Sequence, residues 1–121
     1  MMSADAFADL TVVFNHDGMG NAEPALAHKL AATWLNMHDL DDRPGRLPRT
    51  ICFYADGVKL ACAGSPVLEE LRSLEAKGVA LIVCTTCLNH FGLLDDLAAG
   101  TAGGMKEIVD AQHAAAKVVT L

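Results

Sequence analysis

Residues 65 to 84 read SPVLEELRSLEAKGVALIVC, and the change of period inside this stretch decides the fold. Val67, Leu71 and Leu74 recur at helical spacing and give one apolar stripe. Ser65 offers an N-cap, Pro66 fits the first helical position, and Glu69 with Glu70 sits near the positive end of the helix dipole. Lys77 and Gly78 close the helix. The next residues, VALIV (Val79 to Val83), are apolar throughout, as strands covered on both faces tend to be. A helix that feeds directly into a fully buried strand is half of a β–α–β unit, so the sheet should be mostly parallel.

The rest of the chain repeats this alternation. LTVVFN (Leu10 to Asn15) is a β-branched run ended by Asp17, Gly18 and Gly20, and it reads as a buried strand. A helix should follow from about Asn21 to His38, with Asn21 as N-cap, Pro24 in the first turn and Leu26, Leu30, Trp34 and Met37 as its packing stripe. DLDDRPGRLPR is a polar turn in which Pro44, Gly45 and Pro48 exclude regular structure. TICFYA makes the second strand. GLLDDLAAG is a short helical piece, Met105, Ile108, Val109 and Gln112 mark a last helix, and KVVTL is a closing strand. The expectation is a single domain over residues 1–121, a three-layer α/β sandwich with helices on both faces of the sheet.

Length and composition agree. At 121 residues the chain supports one core and not two. Counting glycine and setting tyrosine aside brings the apolar fraction to about 60%, against roughly 45–50% for an average soluble domain. That excess suggests surface covered by other subunits. Nine basic and fifteen acidic residues leave a net charge of −6, with no basic stretch for a phosphate backbone, which argues against nucleic acid. The start, MMSADAFADL, lacks the charged opening of a secretory signal, and no apolar run approaches the roughly 18 residues that span a bilayer. A cytoplasmic protein is expected, and in that compartment four cysteines are better read as buried, metal-bound or reactive than as a disulfide framework.

The chemistry concentrates in VCTTCLNHFGL, residues 83 to 93, where Cys84 and Cys87 lie three apart at the end of the third strand. Ligands and chemistry gather beyond the carboxyl ends of strands in open sheets of this kind. A thiol at such a strand end, opening a helix, sits near unpaired backbone N–H groups that favour thiolate. Three other readings compete. Either cysteine can be a small core residue. A thioredoxin-like redox pair has the same CxxC placement, but that fold sets a later cis-proline beside the pair, and all four prolines here precede Cys84. Zinc could use Cys84, Cys87 and His90, but a structural site usually needs four ligands and no second CxxC or HxxxH follows.

Around the pair, Lys59 in GVKL follows the second strand and should share an edge with Cys84, where an ammonium favours thiolate or is simply solvated. Asp17 follows the first strand on that edge and can line the pocket. Cys52 and Cys62 read as small buried residues, and His28, His38 and His113 as surface or capping residues.

VCTTCLNHFGL, together with FYADGVKLACAGSPVLEELRSLEAKGV (Phe53 to Val79), resembles the DsrE family, in particular the DsrE-like domain of YedF-type sulfurtransferase-like proteins. The resemblance runs from about Thr11 to Leu121. It implies a cytoplasmic, homo-oligomeric α/β sandwich, a trimer or hexamer, that holds sulfur as a cysteine persulfide and exchanges it with a TusA-like carrier. The family's persulfide position, eight residues before a glycine, corresponds to Cys84 before Gly92, and the second cysteine of the YedF-like branch to Cys87. The sequence as read carries no TusA-like domain of the kind that precedes this one in full-length YedF-type proteins, so the carrier is expected to be another chain. His90 stands where that branch has an aromatic residue and receives no role. The expectation is therefore sulfur relay through Cys84, with Cys87 assisting and Lys59 and Asp17 lining the site. No cofactor, metal, nucleic acid or membrane is called for. Whether such a relay amounts to an enzyme stays open, with a lean to a sulfurtransferase-like activity. The alternative is a non-catalytic oligomeric module, metal-binding or regulatory, with structural cysteines.

Overall fold

A computed structural model describes residues 6–121, so the first five residues of MMSADAFADL lie outside the described residues. Among the described residues, β1 (Phe7–Phe14), β2 (Leu47–Phe53), β3 (Ala80–Cys84), β4 (Thr101–Gly103) and β5 (Lys117–Thr120) form one parallel sheet in the order β4-β3-β2-β1-β5. The helices are α1 (Pro24–Asp39), α2 (Leu68–Ala76), α3 (Thr85–His90) and α4 (Met105–Ala114), and short 3-10 segments span Ala55–Ala61 and Leu94–Asp96. No described helix is long and apolar enough to cross a membrane.

Side chains along β1 assign the layers. Phe14 meets Trp34 of α1 edge-on at 6.5 Å, whereas Thr11, three residues earlier and on the opposite face, donates its hydroxyl to the Ala111 carbonyl of α4 at 3.1 Å. Helices α1 and α2 share the first face, where the Ser73 hydroxyl donates to Asp39 at 2.8 Å and Lys77 pairs with the same carboxylate at 2.7 Å. The expected three-layer α/β architecture is therefore observed. Its centre is the row Val12, Ile51 and Leu81 across three strands, all buried, with Phe14 stacked on Phe53 at 5.6 Å.

Three local expectations are corrected, and the α1 stripe, expected to pack in the core or at a subunit interface, divides between inner and outer faces. Helix α1 buries Ala27, Ala31 and Leu35, while Leu26, Leu30 and Met37 are exposed. The small alanines let the helix lie close to the strands, so its inner face carries less hydrocarbon than its outer one. Only Trp34 of the expected stripe packs inward, between Phe14 and the stacked ring of His38. Helix starts also move: α1 begins at Pro24 with Glu23 at the N-cap, three residues before α2 the Ser65 hydroxyl accepts the Val67 N–H at 3.2 Å, and α2 begins at Leu68. The proline fixes φ and lacks an N–H, so it is suited to a first helical position and sets the start of α1.

Pro48 is inside β2, not in a turn. It pairs with Ala8 where the β1–β2 register shifts, and β3 joins β2 only from Thr50 onward, so little is lost through its missing donor. Finally, Thr101–Gly103 forms a short fourth strand that no β-branched run announces, beside a helical piece that shrinks to Leu94–Asp96.

Candidate functional site

The carboxyl ends of β1, β2 and β3 converge on the 3-10 segment Ala55–Ala61 and on α3. The segment is docked by backbone contacts. The Tyr54 N–H donates to the Phe14 carbonyl at 3.2 Å, the Gly57 N–H donates to the Tyr54 carbonyl at 2.9 Å, and Gly57 lies so close to β1 that a Cβ there would stand 2.0 Å from the Phe14 oxygen. Only glycine fits that approach. The docking turns Ala55 into a left-handed conformation, φ +51°, which is uncommon for a residue with a Cβ. In this pose the Ala55 N–H donates to Cys87 Sγ at 3.1 Å.

Cys84 ends β3 and is the N-cap of α3, and Cys87 lies one turn into that helix. Neither is in a disulfide. Their surroundings differ: Cys84 is 1% exposed, whereas Cys87 is half-buried. Burial pushes the Cys87 thiol above its ordinary value, the Ala55 N–H pulls it back, and the Cys84 thiol raises it again through hydrogen bonding and charge. Helix α3 has only six residues, so its dipole is short and the Ala55 N–H is the specific anion-stabilising donor at Cys87 Sγ. The pair thus has an inner thiol and an outer one, and the outer carries a hydrogen bond suited to a sulfur anion.

Lys59 and Asp17 reach the same edge. Both line a cleft of about 270 Å³ with His16 and Asp56, and a second of about 220 Å³ with His28 and Ser65. The Lys59 ammonium is 2.8 Å from Asp56 and 4.5 Å from the centre of the Phe91 ring, just beyond α3. It clamps the 3-10 segment to the end of the helix that carries Cys87. Asp17 accepts from His28 Nε2 at 3.2 Å. His90 meets Phe91 edge-on at 5.2 Å, and no three His, Cys, Asp or Glu side chains among the described residues converge as a metal site.

Cys52 and Cys62 are buried, as expected. Burial pushes the Cys52 thiol up to about 11, and the Cys62 thiol, also raised by burial and then by Asp96, donates to the Val58 carbonyl at 3.3 Å. Sequence reasoning missed Ala55, Asp56, Phe91 and Asn15. The Asp56–Lys59 spacing of three was a legible signal for that ion pair. Asn15 leaves its Oδ1 buried without a partner among the described residues just beyond β1, and neither this nor the Ala55 contact has a local signature, because each depends on how distant segments dock.

The fold recurs in solved structures. The ychN protein from E. coli matches over 95% of this chain and 100% of its own, with 19% identity and a TM-score of 0.62. The protein of unknown function MTH1491 from Methanobacterium thermoautotrophicum matches over 93% of this chain and 99% of its own, with 20% identity and a TM-score of 0.59. At these identities the likeness concerns the fold. Among curated proteins the comparison finds no match. The sequence itself matches the DsrE/DsrF-like family over residues 2–121, and with the parallel sheet and the cysteines at its carboxyl edge this leads to one conclusion: the chain belongs to the DsrE/DsrF-like family.

Proposed function

We propose that this chain is a sulfur-relay protein that carries sulfur as a cysteine persulfide on Cys84, with Cys87 as the assisting thiol that meets donor and acceptor. The observation that carries the reading is the paired environment: a half-buried Cys87 whose sulfur accepts the Ala55 N–H, beside a Cys84 that is 1% exposed. Family membership is consistent with it. In the loading step the Cys87 thiolate attacks the outer sulfur of a donor persulfide; the donor's S–S bond breaks and the donor leaves as thiolate. The Cys84 thiolate then takes the outer sulfur from Cys87 by the same exchange, which shelters it from solvent thiols. Delivery runs the two steps backward, so the relay needs no oxidant or reductant.

The proposed partner is a small TusA-like carrier protein in the cytoplasm, and Lys59 and Asp17, which line clefts that contain neither cysteine, are its proposed contacts. A homo-oligomer, trimer or hexamer, is proposed on the apolar excess and on exposed Leu26, Leu30 and Met37. A second reading, a non-catalytic oligomeric module, is favoured by the burial of Cys84. One experiment separates the two. The reduced protein is exposed to a persulfide donor, freed of it and weighed intact. A gain of one sulfur atom, abolished in Cys87→Ser, supports the relay, and an unchanged wild-type mass leaves the non-catalytic module.

A further inference from the structure

The relay uses attack on the outer sulfur, yet the spacing of the pair also offers the cysteine Sγ atoms themselves, one helical turn apart. These are the inner sulfurs of any persulfide the pair forms. Cys84 and Cys87 are three residues apart, at the N-cap and in the first turn of α3. Helix neighbours three apart have Cβ atoms roughly 5–6 Å apart, and disulfides span Cα distances of about 4.4–6.8 Å. Cys84 caps the helix and Cys87 follows within its first turn, so the two thiols belong to one short, continuous piece of backbone.

We propose that the loaded pair has a second reaction, release of hydrogen sulfide: when no acceptor takes the sulfur, the free thiolate of the pair attacks the inner sulfur of its neighbour's persulfide. The Sγ–Sγ bond forms, the persulfide S–S bond breaks, and hydrosulfide departs with its electron pair and takes a proton from water. The sulfane sulfur is reduced to sulfide and the two cysteines are oxidised to a disulfide, so atoms and electrons balance without a further reagent. The product is the same whichever cysteine held the sulfur. Hydrosulfide is also the better leaving group, being the base of a stronger acid than a thiol raised by burial. The Ala55 N–H supports the attack by stabilising the Cys87 thiolate. A discharged chain is then a disulfide that cannot load again until a dithiol reduces it. The acceptor must therefore be a thiol partner that arrives before discharge, and a chain left waiting becomes a source of sulfide.

The inference rests on the relay reading, and the experiment separates their failures. Wild type is loaded from a persulfide donor, desalted free of thiols and followed by intact mass and by colorimetric sulfide. The expected result is loss of the added sulfur, one sulfide per chain, and a final mass two hydrogens below the reduced protein. In Cys84→Ser and Cys84→Ala the persulfide on Cys87 should outlast that of wild type at least tenfold, with no disulfide; two substitutions guard against a fold defect at the buried site. If wild type never gains sulfur, the relay itself fails. Sulfur gained and kept, with neither sulfide nor disulfide, overturns the discharge alone.

Discussion

Replacing Gly57 with alanine tests the docking that builds the site. The added Cβ would lie 2.0 Å from the Phe14 carbonyl oxygen and 2.6 Å from its carbon, more than an ångström inside ordinary contact, and both obstacles are backbone of a central strand. The 3-10 segment has to move outward. Overpacking of this kind costs about 1–3 kcal/mol. The Tyr54 N–H bond to Phe14 and the Gly57 N–H bond to Tyr54 are strained with it, and each such bond contributes about 0.5–1.5 kcal/mol net. A destabilisation of about 3 kcal/mol is expected, which lowers a urea midpoint by roughly 1–2 M for a domain of this size. The same movement withdraws the Ala55 N–H from Cys87 Sγ, leaving burial and Cys84 to raise that thiol unopposed. Alkylation of Cys87 at neutral pH should therefore slow in the folded variant, measured in a background where Cys52 and Cys62 stay buried and unreactive. A variant within about 0.5 kcal/mol of wild type, with unchanged alkylation, would refute the claim that this glycine holds the segment against β1.

Other consequences can be measured alongside. Ala55→Gly should relieve the left-handed strain and raise stability by up to about 1 kcal/mol while keeping the N–H on Cys87, as read by chemical denaturation and alkylation rate. Leu35→Ala, at a fully buried position of α1, should cost about 2–5 kcal/mol, whereas Met37→Ala should leave the isolated subunit within about 0.5 kcal/mol; equal effects would mean the inner face of α1 is misassigned. The Cys52 thiol is protonated in the fold up to about pH 11. Because its folded value exceeds its unfolded one, near 8.5 for a free thiol, the stability it contributes is complete below that value and is lost as pH rises through the folded one. The loss is about 3 kcal/mol by that linkage. Cys52→Ala should flatten this alkaline decline, though it lowers stability at neutral pH, and denaturant midpoints across the alkaline range would reveal a decline that persists.

The strands were legible where apolar character is concentrated and continuous. LTVVFN is buried over Thr11–Phe14 and VALIV forms a strand as expected, although its Ala80 is exposed and its Ile82 only partly buried, and the placement of Cys84 at a strand end follows from the second of them. Helix α1 was legible as a helix but not in its facing. Side-chain size pointed to Leu26, Leu30 and Met37, and close approach to the sheet instead selected Ala27 and Ala31. Pro48 in a strand depends on which neighbours β2 has at that level, a fact of topology absent from local sequence. The candidate site divides the same way. That Cys84, Cys87, Lys59 and Asp17 lie toward the carboxyl edge of the sheet was readable, while the difference in exposure between Cys84 and Cys87 and the Ala55 donor to Cys87 arise only when three strand ends and the segment after β2 meet.

Strand β1 is hydrogen-bonded to β2 on one side and to β5 on the other, and the Leu121 N–H reaches the Val13 carbonyl at 2.9 Å. The first described strand therefore acquires its second neighbour from the last residues of the sequence. On a ribosome, everything up to α4 emerges while one border of β1 still offers open N–H and C=O groups to any passing strand. Such long-range closure makes folding slow and leaves the nascent chain prone to mispairing until residues 117–121 are free. Trimming those few residues should harm yield and solubility far more than their small share of the buried core suggests.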